Sequence, residues 1–132
     1  MKGFHVNIDK AAITNKSFRQ VIYTGKHTQL VLMSLLPREE IGLETHKEND
    51  QFFRFEQGVG LCTIDGNEYA IKANDAIVIP AGAAHNIINT SETEVLKMYT
   101  LYSPPHHKDG IVRTTKLDAT THELEFDGTT TE

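Results

Sequence analysis

The chain has 132 residues, a formal net charge of −5 and a single cysteine. This length predicts one domain spanning residues 1–132. The scattered Lys and Arg residues argue against nucleic acid or an anionic membrane as a partner, and one cysteine excludes an intramolecular disulfide framework. No apolar run is long enough to cross a bilayer, and the first five residues lack the apolar stretch of a secretory signal. We therefore expect a soluble, cytoplasmic protein.

Short extended segments follow one another along the chain, without long helical periodicity. The first two strands are predicted at 19–24 and 28–36, and later ones at 41–46, 51–56, 61–64, 67–72, 76–79, 85–89 and 94–102. The pair Asp65-Gly66 between two of them predicts a tight hairpin. Short strands at spacings of roughly 8–12 residues predict an all-β sandwich or barrel of jelly-roll type.

The two ends of the chain carry weaker patterns. We expect the barrel core at about 19–103, and the Thr-, Asp- and Glu-rich residues 114–132 to form one short helix followed by a frayed, partly disordered end. Residues 6–8 can add a strand to the sheet of a second copy, which predicts a homodimer.

Residues 74–89 hold the most informative pattern, a buried strand, a corner and a strand that carries a histidine. Pro80 cannot donate to a strand ladder, and Gly82 permits the corner before His85. The segment closely resembles the second motif of the cupin superfamily, with Asn-Asp where cupins usually carry Gly-Asp. The residues that carry this match are Asp75, Pro80, Gly82, His85 and Asn89.

The first cupin motif is a glycine, five residues, His-x-His, three or four residues, Glu, six residues and a glycine. Its spacing fits Arg38, Glu44-x-His46, Gln51 and Gly58, but Arg38 replaces the glycine, Glu44 the first histidine and Gln51 the glutamate. The resemblance implies a double-stranded β-helix barrel with a short C-terminal helix or tail. More narrowly, the chain resembles small bacterial cupins of the mannose-6-phosphate-isomerase-like group at 25–33, 41–46, 50–52 and 102–107.

The resemblance implies a metal site, and the alternation of side chains along the predicted strands indicates whether its ligands can meet. Residues two apart on a strand share a face, so Glu44 and His46 point the same way, and Gln51 returns on a facing strand. His85 would complete a set of Glu44, His46, Gln51 and His85. These oxygen and nitrogen donors suit a divalent transition metal, which can be Fe, Mn, Zn, Ni or Co.

Several residues remain open as alternatives. Glu48 or Asp50 can replace Glu44 or Gln51 as ligands, although both fall in a polar segment that reads as an exposed loop. Gln51 can be a ligand or a hydrogen-bonding neighbour of the site. His106 and His107 follow two prolines and are expected to be exposed.

The predicted chemistry follows from this site. Two open positions on a metal would bind a small polar, oxygen-rich molecule, while a neighbouring carboxylate or tyrosine moves the proton; the candidate catalytic residues are Glu44 and Tyr99. Tyr99 has this role only if the strand at 94–102 turns Lys97, Tyr99 and Leu101 inward; the opposite register buries Leu96 and Met98, and the apolar residues favour it. The resemblance favours a sugar or sugar-phosphate isomerase; the alternatives are a metal-dependent dioxygenase and a non-catalytic ligand-binding or sensor module.

Overall fold

The computed structural model describes residues 1–132 as two antiparallel β-sheets with two short helices. The elements in chain order are α1 Ile8–Thr14, β1 Arg19–Thr24, β2 Gln29–Leu35, β3 Glu44–Thr45, β4 Asp50–Gln57, β5 Val59–Ile64, β6 Asn67–Lys72, β7 Ala76–Ile79, β8 Ala84–Asn89, β9 Leu96–Ser103, β10 Val112–Arg113 and α2 Lys116–Thr121. Neither helix has the length and apolar character needed to span a membrane.

The strands form a six-stranded sheet in the order β10-β1-β2-β9-β4-β7 and a four-stranded sheet in the order β3-β8-β5-β6. The chain alternates between the two sheets from β2 to β5 and again from β6 to β9, whereas β1 and β2, β5 and β6, and β9 and β10 share a sheet. Every strand pair is antiparallel. This arrangement confirms the all-β, jelly-roll prediction and the short C-terminal helix.

The core fills the space between the two sheets because alternate residues of each strand face inward. On β4, Gln51, Phe53 and Phe55 are buried while the residues between them are half-buried. Phe53 and Phe55 belong to one apolar cluster with Cys62 and Ile87 of the four-stranded sheet. The inward face of β4 is therefore apolar at its centre and polar only at Gln51, towards one end.

The turn between β5 and β6 has the conformation that its sequence predicts. Asp65 and Gly66 both have positive φ values, 46° and 81°. Two successive positive φ values define the type I′ turn, whose twist matches that of the flanking strands. The predicted hairpin is confirmed.

The amino-terminal strand prediction is wrong. Ile8 begins α1, and the side chain of Asn7 caps this helix by accepting a hydrogen bond from the Lys10 N–H at 3.1 Å. α1 packs on the outer face of the six-stranded sheet. Residues 6–8 therefore do not form the predicted strand that would extend the sheet of a second copy.

The carboxyl-terminal end is also corrected, since it pairs with the barrel rather than fraying. The Lys108 and Phe126 N–H groups donate to Leu124 and His106 carbonyls, both at 3.0 Å, and the Thr131 N–H donates to Thr24 at 2.9 Å. These long-range bonds hold residues 122–132 along one end of the sandwich.

Candidate metal centre

Glu44 and His85 face each other across β3 and β8. They are directly opposed partners in the antiparallel pairing, a relation that brings two side chains together on one face. Glu44 Oε1 lies 3.7 Å from His85 Nε2. The cross-strand register thus explains why a carboxylate meets the histidine of the 74–89 segment.

His46 joins this pair from just beyond β3. Its Nε2 lies 3.2 Å from Glu44 Oε1, because the two residues are two apart on an extended segment. The His46 carbonyl accepts a hydrogen bond from the Gly82 N–H at 2.9 Å, which ties the segment to the corner preceding His85. Ligand atoms of Glu44, His46 and His85 all lie within 4.8 Å of one another.

The charge on Glu44 follows from its neighbours. Burial by itself would raise the pKa of Glu44, but interaction with the His46 and His85 imidazoles outweighs burial and holds this pKa far below its usual value. The carboxylate is therefore ionised at neutral pH. An ionised carboxylate between two imidazoles is a donor set that divalent transition metals bind.

The hydrogen bonds of His85 decide which of its ring nitrogens faces the cluster as a free acceptor. Its Nδ1 lies 3.0 Å from the Ala83 carbonyl oxygen, and a carbonyl can only accept, so Nδ1 carries the hydrogen. In the neutral ring Nε2 then has a free lone pair directed at the cluster, as a metal ligand requires.

Buried polar atoms without partners provide an independent test of the metal interpretation. His46 Nε2 and His85 Nε2 are both buried, and neither makes a well-formed hydrogen bond, although Glu44 Oε1 lies 3.2 Å from the first and 3.7 Å from the second. Buried polar atoms are normally satisfied, because leaving one unpaired is costly. A metal ion bound at this point would satisfy both nitrogens, so these residues fit a metal.

Gln51 contributes a third unpartnered atom from the opposite sheet. Its side chain is 1% exposed, and Nε2 donates to Thr100 Oγ1 at 3.0 Å. Its Oε1 is buried and has no partner. With the amide in this orientation its oxygen, the atom that can bind a metal, is the free one.

The remaining sequence candidates lie outside this cluster. Glu48 and Asp50 are exposed, and Asp50 accepts a hydrogen bond from the Ala81 N–H at 2.9 Å. Tyr99 faces the outer side of the six-stranded sheet, where its ring packs 6.3 Å from that of Phe52. The catalytic assignment of Tyr99 is therefore corrected, because the register of β9 buries Met98 instead.

Comparison with known proteins identifies the family. Residues 31–102, more than half of the chain, match the Cupin domain family. This chain is a cupin. The matched region includes Glu44, His46, Gln51 and His85.

Three similar proteins place this cupin among its relatives. YrkC of Bacillus subtilis, an uncharacterized protein, is 46% identical over 124 residues, which cover 89% of this chain and 66% of YrkC. The chain thus spans slightly less than two thirds of that relative. The crystal structure of BH2720 from Bacillus halodurans superposes with a TM-score of 0.89 at 39% identity, covering 92% of this chain and 96% of that one. A predicted oxalate decarboxylase from Thermotoga maritima has a TM-score of 0.56 at 26% identity, covering 60% and 68%.

The structure of the cupin corrects the expected exposure of His106 and His107. The His106 ring lies 4.3 Å from the His46 ring, between centroids, and stacks on Tyr102 at 5.3 Å. His107 is 9% exposed and its Nε2 lies 3.3 Å from the Tyr102 hydroxyl. Burial, together with the nearby His46, lowers the pKa of His106 to about 4. His106 therefore stands at the metal cluster as a neutral imidazole.

Gln29 holds this histidine pair in place, a role that the sequence did not predict. Its Nε2 donates to the His107 carbonyl at 2.7 Å and to Thr24 Oγ1 at 2.9 Å, while its Oε1 accepts from the N–H groups of His106 and His107 at 3.1 and 2.9 Å. Gln29 is separated from His106 by 77 residues. No local pattern can reveal such a contact; the one local signal is a glutamine on the inward face of an apolar strand.

A small cavity adjoins the cluster on the side of the six-stranded sheet. Its volume is about 50 Å³, and its lining includes Glu44, His106, Arg19 and Arg113 together with residues 122–125 of the tail. The carboxyl-terminal end of the chain thus forms one wall of the site. Sequence reasoning missed this wall because it expected the tail to be frayed.

Proposed function

We propose that this cupin binds one divalent transition metal ion through Glu44, His46 and His85, and that Gln51 Oε1 is its fourth ligand. The observation that carries the proposal is the pair of buried, unpartnered imidazole nitrogens beside an ionised carboxylate. The ligand set has no thiolate, which favours Fe, Mn, Zn, Ni or Co over softer metals. A four-ligand site leaves positions open for exchange.

We further propose that the protein is an enzyme acting on a small polar, oxygen-rich molecule. When bound, the metal would polarise a substrate oxygen as a Lewis acid. Glu44 and the neutral His106 imidazole both line the cavity, so these two side chains are the groups that can accept a proton there. The likeness to a predicted oxalate decarboxylase supports this substrate class, because oxalate is itself small and rich in oxygen.

The kind of reaction is a finer prediction. Isomerisation of a sugar or sugar phosphate is suggested by the sequence resemblance, and a dioxygenase would use the same open positions but needs a redox-active metal. Binding without turnover, as in a sensor, would use the same residues. Metal identity, followed by isomerase assays or oxygen-uptake assays, separates these three activities.

Elemental analysis of the protein purified without added metal tests the metal site. We expect close to one equivalent of a transition metal in the wild type and only traces in the double variant His46→Ala/His85→Ala, because two of the proposed ligands are lost. The matched control is His5→Ala/His27→Ala, which removes two exposed histidines and should retain the wild-type metal content.

Circular dichroism should show that both double variants remain folded. Equal, trace metal in all three proteins would contradict the metal site and leave the non-catalytic binding module as the better interpretation. Equal, stoichiometric metal in all three would place the ion elsewhere.

A further inference from the structure

Arg19 is a buried cation without a charged partner. It begins β1 with its side chain on the inward face, as the burial of Arg19 and Val21 shows, and it is 8% exposed. Its Nε is buried without a hydrogen bond. None of the ion pairs within 4.0 Å in this protein involves Arg19.

The Arg19 side chain lines the cavity beside the metal cluster, as do Glu44 and His106. Arg113, its direct partner on β10, lines the same cavity. Arg113 is already engaged, because its Nε donates to the His122 carbonyl at 2.9 Å and its Nη1 to the Val112 carbonyl at 3.3 Å. Arg19 therefore supplies the free guanidinium of this cavity.

The protein groups around Arg19 do not neutralise it. Glu44, Glu123 and Glu125 line the same cavity, but none of their oxygens comes within 4.0 Å of an Arg19 nitrogen. The guanidinium carbon lies 5.3 Å from the centre of the Phe18 ring, a contact that uses a face of the guanidinium and leaves its N–H groups free. A buried charge is normally paired, so an anion is the missing partner.

We propose that Arg19 binds the carboxylate of the substrate, which makes the substrate a small carboxylic acid with further oxygens directed at the metal. This inference rests on the proposed function, since it names the substrate class of the same site. A guanidinium binds both oxygens of a carboxylate at once. The cavity of about 50 Å³ has room for only a few water molecules at roughly 10–15 Å³ each, so the bound acid has to be small.

Calorimetric titration with lactate tests the proposal, with lactamide as the neutral analogue. We expect the wild type to bind lactate more tightly than lactamide, and Arg19→Gln to weaken lactate binding about tenfold or more, since a charge-assisted pair of hydrogen bonds is lost. Lactamide binding should not change. The matched control Arg54→Gln, on the outer face beside Asn74, should bind lactate as the wild type does.

Metal content, measured in the same samples, keeps the two proposals separate. If the metal content shows no metal site, lactate can still bind the wild type more tightly than Arg19→Gln. If the metal site is present, lactate binding can still prove independent of Arg19. If Arg19→Gln does not fold, Arg19→Lys carries the test and should also weaken lactate binding, because an ammonium cannot pair with both carboxylate oxygens in parallel.

Three results would overturn the assignment. The first is that Arg19→Gln, or Arg19→Lys where the former does not fold, binds lactate as tightly as the wild type does. The second is that the wild type binds lactate and lactamide equally well. The third is that the wild type binds inorganic phosphate more tightly than lactate.

Discussion

Cys62 shows how burial sets the chemistry of a single side chain. It is fully buried in the core between the sheets, and burial raises the pKa of its thiol to about 11. The thiolate is the reactive form of cysteine. Cys62 is therefore a packing residue, as its position within an apolar strand predicts from sequence.

We expect Cys62 in the native protein to resist alkylation by iodoacetamide at pH 8, and the urea-unfolded chain to react fully. Because the pKa is about 11, the native rate should rise about tenfold per pH unit between pH 7 and 9 without levelling off, as the thiolate fraction does. Mass spectrometry of quenched samples measures both rates. A native rate that reaches a plateau below pH 9 would show a lower pKa and a more accessible thiol.

At the scale of single residues, the proposed metal ligands could be predicted from the sequence, whereas the residues that surround the site could not. Glu44 and His46 share a face because alternation on an extended segment is a local property. Arg19 and Gln29 lie on the paired strands β1 and β2, while His106, which Gln29 holds in place, follows 77 residues after Gln29, so no local spacing rule connects His106 with them.

At the scale of elements, β5 and β8 approach so closely that one position must be glycine. A Cβ added at Gly60 would lie 2.5 Å from the Ile88 carbonyl oxygen and 3.1 Å from Leu96 Cδ2. The first of these atoms belongs to the backbone and cannot rotate away. Gly60 thus marks a close contact between paired strands.

Gly60→Ala should lower the free energy of unfolding by about 1–3 kcal/mol, the usual cost of overpacking a tight site. Urea denaturation followed by circular dichroism measures the change. Gly25→Ala is the matched control, because its nearest contact would be the Thr28 carbonyl oxygen at 3.4 Å, and it should stay within about 0.5 kcal/mol of wild type. Equal stability of the two variants would mean that the strands separate at little cost.

The elements that sequence missed are those with the least local signal. α1 has seven residues, too few for a visible helical period, although the Asn7 cap and Asp9 in its first turn are the local features that favour a helix start. β3 keeps only two of the six residues predicted at 41–46. Gly42 has a φ of 108°, and its N–H donates to the Asn86 side chain at 2.9 Å instead of a ladder carbonyl.

At the scale of the whole molecule, an apolar row crosses the outer face of the six-stranded sheet. Leu30, Leu101, Phe52 and Val78 lie directly opposite one another on β2, β9, β4 and β7. Val78 is 67% exposed at the edge. A row of this kind favours association of two copies through this face, and it replaces residues 6–8 as the basis of the homodimer prediction.

Light scattering coupled to gel filtration tests the homodimer, and we expect twice the chain mass of 14.8 kDa. Val78→Glu should shift the protein to the monomer mass, because a charge on this row would be buried in the dimer. Val59→Glu, at a position that is 47% exposed on the other sheet, should leave the mass unchanged. A wild type of monomer mass at micromolar concentration would refute the prediction.

Sequence by itself determined the all-β class, the hairpin at Asp65-Gly66 and the segments that carry Glu44, His46 and His85, because strand alternation and turn geometry are set by neighbouring residues. Tertiary structure alone decided the rest of the site. It turned Tyr99 outward, brought His106 to the cluster with Gln29 holding its backbone, and closed the cavity with residues 122–125. These outcomes depend on strand register and on pairing between residues roughly 80–100 positions apart. Backbone hydrogen bonds are alike for nearly all residue types, so neighbouring residues do not specify which distant segment pairs with which.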